Sequence, residues 1–333
     1  MQNESSIKIS IIIPHKDDLP NLTALLHNLN DSQYKNCEII IIDSSTSDIL
    51  QTLESIISAS LIKIRIIQGK NYFPGKARNI GIRNAEGERI CFLDSKTLPT
   101  KNWLSDGLLQ LDEGDNTIVL GKFQSVEYSF FARVVKAATF GNIPHYSLPG
   151  TITHKKIFME AGGFNPFTRA GEDIDWLNRM KNLGYNIKKP KSVNLTYTGL
   201  PTSLIEVIKK WYLYSMENAK VNILIAQKSA YFFLFLVFFL YLAYRWNYIF
   251  TGGAWDRSPY FIPHLNTILW SIMGLGYIFF RSLIMPLKRK EKISFLLPIN
   301  FIFIGAVSLI IDLVKIPGRI YGFLKIFTYP DKI

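Results

Sequence analysis

The 333-residue sequence holds only two cysteines, Cys37 and Cys91, too few for a disulfide framework and in no metal-ligand spacing. Each sits at or inside a β-branched run, so both read as buried, reduced thiols. Charge is also scarce: 19% of residues are charged, against 48% hydrophobic and 14% aromatic. That balance excludes a disordered or low-complexity chain, and no internal repeat is visible. A secretory signal is missing too. The start, Met1-Gln-Asn-Glu-Ser-Ser, is polar, and the apolar stretch Ile7–Ile13 is only strand length, so the N-terminal part is expected in the cytosol.

Acidic side chains become rare toward the C-terminus. Residues 1–225 carry 26 basic and 22 acidic groups, whereas residues 226–333 carry 12 basic and 4 acidic, two thirds of the net +12. A nucleic-acid binder would line a polar face with basic residues and interleaved aromatics; here the basic excess accompanies the longest apolar runs, which points to a membrane and excludes nucleic acid as a partner. Those runs are Ser229–Tyr244, uncharged for 16 residues, Ser258–Phe280 for 23 and Ile293–Ile311 for 19, the last interrupted by Pro298 and Asn300. About 20 apolar residues cross a bilayer, so residues 229–333 are expected to form an anchor of two or three transmembrane helices. Lys288, Arg289, Lys290 and Lys292 crowd one short loop. Positive loops stay cytoplasmic, which puts residues 1–228 in the cytosol. A third full crossing would then place Lys315, Arg319, Lys325 and Lys332 outside, so the third segment is either re-entrant or interfacial, or its tail defies the charge bias.

From Ile7 to Val119, β-branched runs (Ile7–Ile13, Glu38–Asp43, Leu61–Ile67, Arg89–Leu93) alternate with segments of helical spacing (Leu19–Leu29, Asp48–Ile57, Lys76–Asn84). The alternation predicts an α/β fold, doubly wound around a mostly parallel sheet and followed by the transmembrane helices. Ligands of such sheets bind at the carboxyl ends of the strands. The polar residues there are Pro14-His15-Lys16-Asp17, Asp43-Ser44-Ser45 and Asp94-Ser95-Lys96. A more polar, Gly- and aromatic-rich stretch follows, and a long helix is expected over Ser203–Lys228. The sequence divides into residues 1–119, residues 120–228 and the anchor. Phe130, Phe131, Phe140 and Tyr146 form either an acceptor lid or a local core.

Over roughly residues 7–215 the ordered motifs resemble the inverting family 2 glycosyltransferases with a GT-A fold. They are Ile9-Ser-Ile-Ile-Ile-Pro14, Glu38-Ile-Ile-Ile-Ile-Asp-Ser-Ser-Thr-Ser-Asp48, Ala77-Arg-Asn-Ile-Gly81, Ala85-Glu-Gly-Glu-Arg-Ile-Cys-Phe-Leu-Asp94, Pro99 with Trp103-Leu104, Gly162-Gly-Phe164 and Gly171-Glu-Asp173. The resemblance implies a membrane-anchored enzyme in the cytoplasmic membrane. It would move a single sugar from a nucleotide-sugar to a lipid-linked or membrane-proximal saccharide in surface polysaccharide or glycolipid synthesis. Variants of this reading use or make a polyprenyl-phosphate sugar; the competing class is a degenerate, non-catalytic GT-A scaffold.

By the same resemblance Asp173 is the catalytic base, while Pro14, His15, Asp43, Arg78, Asp94 and Lys96 bind the donor, and Glu172, Asp175 and Trp176 bind or orient the acceptor. Other readings stay open beside these. Asp173 also suits a helix N-terminus, Asp43 an Asx turn with Ser45, and Arg78 a solvated surface. The family's Asp-X-Asp element holds Mg²⁺ or Mn²⁺, so Asp94 is the one metal-ligating candidate. Its second Asp is Lys96 here, and an ammonium cannot ligate that ion; it either contacts phosphate in place of the metal or points to solvent. Two other departures are Lys16 and Asp17, where the family has an aromatic and Asn, and Val207-Ile-Lys-Lys-Trp211, where processive relatives carry Gln-X-X-Arg-Trp. The second predicts transfer of one residue at a time.

Overall fold

A computed structural model describes residues 8–31, 36–220 and 261–328, with isolated positions between 233 and 259. Ile7 and nearly all of the expected first span, 229–244, lie outside the described residues.

Four strands, β1 (Ile9–His15), β2 (Cys37–Asp43), β3 (Lys63–Gln68) and β4 (Arg89–Phe92), pair in parallel in the order β3-β2-β1-β4. Their side chains alternate between two cores. Ile11, Ile13, Ile39 and Ile41 pack under α1 (Leu19–Asn30) and α2 (Leu50–Ala59), while Ile12, Ile40 and Ile42 face α3 (Pro74–Asn84). Burial on both faces explains why these strands read as unbroken isoleucine runs. The β1–β2 register sets His15 beside Asp43 at the carboxyl end. At the other end buried Glu38 takes hydrogen bonds from Ser10 Oγ at 2.6 Å and from the Glu86 amide at 2.7 Å, and Gly87 crosses β1 so closely that a Cβ would lie 2.7 Å from the Ile9 carbonyl carbon. The Ala85-Glu-Gly-Glu motif is therefore a backbone clasp that delivers β4 to its place.

The chain continues through β5 (Thr97–Pro99), α4 (Trp103–Leu111), β6 (Thr117–Ser125), α5 (Phe130–Ala138), β7 (His145–His154), α6 (Lys155–Ala161), α7 (Glu172–Asn182), β8 (Asn186–Lys188), β9 (Leu195–Tyr197) and α8 (Leu204–Lys220). β7 runs antiparallel between β4 and β6, and β9 and β5 extend the sheet beyond β6. The expected boundary between the two halves, at residue 119, lies inside β6, and the sheet is continuous across it. Buried Trp103 donates from Nε1 to the Gly150 carbonyl at 2.8 Å, tying α4 to β7.

The apolar third forms α9 (Leu265–Phe279), which continues through a π-turn at Phe280–Ile284 into α10 (Met285–Lys288), then α11 (Ile293–Leu296) and α12 (Asn300–Thr328). Two stretches, Thr267–Lys288 and Asn300–Lys325, are long and apolar enough to cross a membrane. The third expected segment, 293–311, thus changes boundaries: its first residues form a separate turn, and the long helix starts at Asn300 and runs well past Ile311. One face of α12 packs on α5 and α8 through Ile304, Val307 and Ile311 against Val134, Val135 and Val207.

Farther along, α12 and α8 run parallel and very close. Ser215 Oγ donates to the Lys315 carbonyl at 2.7 Å, and a Cβ on Gly318 or Gly322 would come within 2.7 Å of the Tyr212 carbonyl or 2.3 Å of the Met216 carbonyl. Small residues four apart let two backbones approach in this way. The basic loop is also seated on the catalytic side: Arg289 Nη1 donates to the Ala138 carbonyl at 2.6 Å, and the Asn142 amide donates to the Arg289 carbonyl at 2.8 Å. Gly322→Leu is expected to lower unfolding stability by about 1–3 kcal/mol through overpacking. Gly274→Leu, where a Cβ meets nothing within 4 Å, should leave it nearly unchanged; thermal melting of the detergent-solubilised full chain compares the two.

Candidate active site

The carboxyl ends of β1 and β4, the start of α3, the loop before α7 and one face of α8 enclose a cavity of about 740 Å³. Pro14, His15, Arg78, Asp94, Lys96, Glu172 and Asp173 all line it, although they are spread over most of the catalytic half of the sequence. Asp43, Asp175 and Trp176 are not in its lining.

Arg78 is the central residue. It is buried on α3 and donates from Nη1 to Glu172 Oε1 at 2.7 Å and from Nη2 to Asp94 Oδ1 at 2.9 Å, joining the exit of β4 to the first turn of α7. Burial alone would lower the guanidinium's pKa; the carboxylates of Asp94, Glu172 and Asp173 outweigh it and hold the group above its ordinary value. Burial in turn raises the Glu172 carboxyl, with Arg78 opposing. The surface reading of Arg78 is thereby corrected.

The neighbours of Arg78 in the Ala77–Gly81 motif each have a separate job. Asn79 clamps the loop before α7, donating from Nδ2 to the Phe164 carbonyl and accepting from the Phe164 amide, both at 2.8 Å. Gly81 lies where a Cβ would be 2.4 Å from Ile12 Cγ2 on β1. α7 then starts on Gly171 with φ of 87°, a conformation that glycine adopts without strain. Asp173 Oδ1 accepts its neighbour Ile174's amide at 2.8 Å, and the half-exposed carboxylate still faces the cavity, so the helix-terminus and site positions coincide.

Three expected site residues turn out to support the walls. Asp43 Oδ1 accepts from the Ser45 amide at 3.1 Å and Ser45 Oγ at 2.7 Å, which is the Asx turn, and contacts His15 Nδ1 at 2.9 Å. His15 accepts the Asp18 amide at Nε2 (3.2 Å), so its ring proton is on Nδ1 and points to Asp43. Asp43 therefore touches the cavity wall only through His15, which is in the lining. Trp176 is fully buried, stacked on Phe158 at 5.0 Å and bonded to the Gly162 carbonyl, so its assignment as an acceptor residue is corrected to a core role. Asp175 donates its amide to the Gly171 carbonyl within the first turn and has no place in the cavity.

Lys96 does not simply extend into solvent: it lines the cavity and its Nζ lies 3.5 Å from Asp18 Oδ2. A divalent cation fits these residues poorly. Asp94 is already paired with Arg78, an ammonium occupies the second position of the motif, and no cluster of three metal-binding side chains exists among the described residues. Asp94, the metal-ligating candidate, is held by Arg78 through Oδ1.

Sequence reasoning missed the back wall. Tyr197, Leu213, Tyr214 and Asn218, from β9 and α8, complete the cavity. Burial, with Asp94, Asp173 and Glu172 nearby, pushes the Tyr214 phenol up to about 12, so it remains a hydrogen-bond donor. Behind it Lys210 donates to Tyr197 Oη at 2.9 Å, and burial lowers its ammonium to about 8. The helical spacing of Tyr214 and Asn218 was the only available sign of this wall. Phe140 joins Phe123, His145 and Tyr197 in an aromatic cluster, whereas Phe130 meets Phe303 of α12; neither forms a lid on this cavity.

Removing the central cation should be costly, because a buried carboxylate left without its partner destabilises by about 3–5 kcal/mol. Arg78→Ala is expected to show that loss in denaturant unfolding, and Arg78→Ala/Glu172→Ala to recover a substantial part of it; equal losses in the two variants would contradict the bridge.

Residues 10–173 match the model of glycosyl transferase family 2. Over 123 residues, 36% of this chain and 22% of the relative, the sequence is 29% identical to the poly(ribitol-phosphate) beta-N-acetylglucosaminyltransferase TarS of Staphylococcus aureus. It is 30% identical over 122 residues to the amylovoran biosynthesis glycosyltransferase AmsB of Erwinia amylovora, 34% of this chain and 40% of that one. The chain thus spans less than half the length of either relative. The mannosyltransferase PcManGT of Pyrobaculum calidifontis, solved with GDP-Man and Mn²⁺, shares the fold, with a TM-score of 0.53 at 13% identity over 94% of this chain and 87% of that one. With its motifs gathered around one cavity at the carboxyl edge of a GT-A-type sheet, the chain carries a glycosyl transferase family 2 domain over residues 10–173.

Proposed function

We propose that the chain transfers a single sugar, with inversion, from a nucleotide-sugar to a lipid-linked or membrane-proximal saccharide, working on the cytosolic face of the cytoplasmic membrane. One observation carries the reading: the carboxylate of Asp173 faces the same cavity as Arg78, Asp94 and Lys96, and the family match ends on Asp173 itself. Inversion needs a base on one face of the anomeric carbon and a leaving diphosphate on the other. Asp173 takes the proton from the acceptor hydroxyl as its oxygen bonds to the anomeric carbon. The bond from that carbon to the diphosphate breaks and its electron pair leaves with the phosphate.

Charge growing on the diphosphate has to be balanced, and Lys96 is the cation at the position where the family has a carboxylate. A unit charge pair at 4 Å contributes roughly 4 kcal/mol at an effective dielectric near 20. Lys16 and Arg169 add positive charge to the same walls. Arg78 is engaged by its two carboxylates and fixes the geometry of Asp94 and the α7 terminus.

The membrane part of the reading is supported by exposed apolar side chains on α9 (Ile268, Ile272, Leu275, Phe279) and on the outer face of α12 (Leu309, Leu313, Ile316, Ile320, Leu324). The basic loop held against Asn142 keeps Arg289 and Lys290 on the side of the catalytic domain, in line with cytosolic placement.

Transfer assays with a panel of nucleotide-sugars and a membrane lipid extract as acceptor test the reading. Asp173→Asn is expected to slow transfer by about 10²–10⁴-fold, the usual loss of a general base. Lys96→Ala should cost about 10²-fold, and EDTA should leave the wild-type rate unchanged. A Lys96→Ala variant as active as wild type, combined with inhibition by EDTA, would sink the role given to the lysine.

A further inference from the structure

Tyr214 lines a second cavity of about 420 Å³ on the far side of α8, where the catalytic domain meets the apolar helices. Its charged lining is Lys210, Arg281, Arg289 and Lys315 against one carboxylate, Asp312. That carboxylate is already shared: Arg281 Nε lies 2.8 Å from Oδ2, Lys315 Nζ 3.1 Å from Oδ1, and Tyr277 Oη donates to Oδ2 at 2.9 Å. Lys210 and Arg289 have only neutral acceptors instead, the Tyr197 hydroxyl and Gly199 carbonyl for one and the Ala138 carbonyl for the other, and neither is ion-paired among the described residues. Burying cations without counter-charge is costly. Both groups are partly buried, and burial pulls each below its ordinary value; a neighbouring cation adds to it (Lys96 for Lys210, Arg281 for Arg289) while one carboxylate opposes (Glu206 and Asp312 respectively). The lining thus carries four cations against one carboxylate.

The walls say where a balancing anion would come from. Arg281, Asp312 and Lys315 belong to the two helical stretches long and apolar enough to cross a membrane, so the cavity is built in part from the helices that carry the exposed apolar faces. A group held here has cations around its head, the apolar side chains of Phe140, Trp211 and Ile311 in the same lining, and Tyr214 shared with the cavity that Asp173 faces. We infer that this second cavity binds the phosphate or diphosphate group of a membrane lipid that carries the acceptor sugar, with Lys210, Arg281, Arg289 and Lys315 as its ligands. The inference rests on the reading of the chain as a membrane-borne sugar transferase and adds to it the chemistry by which the acceptor is held.

Binding to the full chain in detergent micelles tests it, followed by quenching of tryptophan fluorescence, since Trp211 is part of the lining. The probes are a polyprenyl diphosphate, the uncharged polyprenol of the same length, inorganic diphosphate, and UDP and GDP. Wild type should bind the polyprenyl diphosphate at least about tenfold more tightly than either polyprenol or inorganic diphosphate. Lys315→Gln should weaken it by about tenfold or more, and Lys315→Arg should restore it. Equal binding of polyprenol, an unchanged Lys315→Gln variant, or inorganic diphosphate binding as tightly as the lipid would each overturn the site. Binding of the polyprenyl diphosphate without any binding of UDP or GDP would instead defeat the nucleotide-sugar reading and leave the lipid site standing.

Discussion

A buried guanidinium that holds two carboxylates is the interaction on which the catalytic half depends. Arg78 spans from the end of a parallel strand to the first turn of a helix nearly a hundred residues later, and both anions would be untenable so close together without it. The pairing makes the cavity one object instead of two facing loops. It also engages the charge of Arg78 with two carboxylates, whereas the other Lys and Arg side chains of the lining, Lys16, Lys96 and Arg169, are not tied to that bridge.

Much of the first half was legible because its physics is local. Continuous isoleucine runs bounded by polar exits can only be strands buried on both faces, and the expected Glu38–Asp43 and Arg89–Leu93 agree with β2 and β4 to within a residue. The site residues at the strand ends were legible for the same reason, since a polar residue that closes an apolar run has few places to go. Trp176 was misread, and the His15 contact of Asp43 was not foreseen, because both depend on partners far away in sequence: the register of β1 on β2 brings His15 to Asp43, and the aromatic stack of Phe158 and Phe164 claims Trp176. No periodicity carries that information.

The back of the site was the least legible part. β6 and β7 are antiparallel strands with mixed burial, so neither the unbroken apolar signature nor clean alternation marks them. The pairing of α12 with α8 depends on two glycines whose value appears only when another backbone lies against them. Apolar runs alone suggested helices of membrane length; they did not reveal that one of these would be partly sheathed by the catalytic domain, with Ile304, Val307 and Ile311 turned inward.

Helix α8 presents Leu213, Tyr214 and Asn218 to the cavity and Tyr212, Ser215 and Met216 to α12. One rigid rod therefore serves as a wall on one side and a rail on the other. The wall and the rail are therefore fixed together, because a backbone contact that close leaves Tyr214 and the Gly318–Gly322 stretch of α12 on opposite sides of the same helix turns.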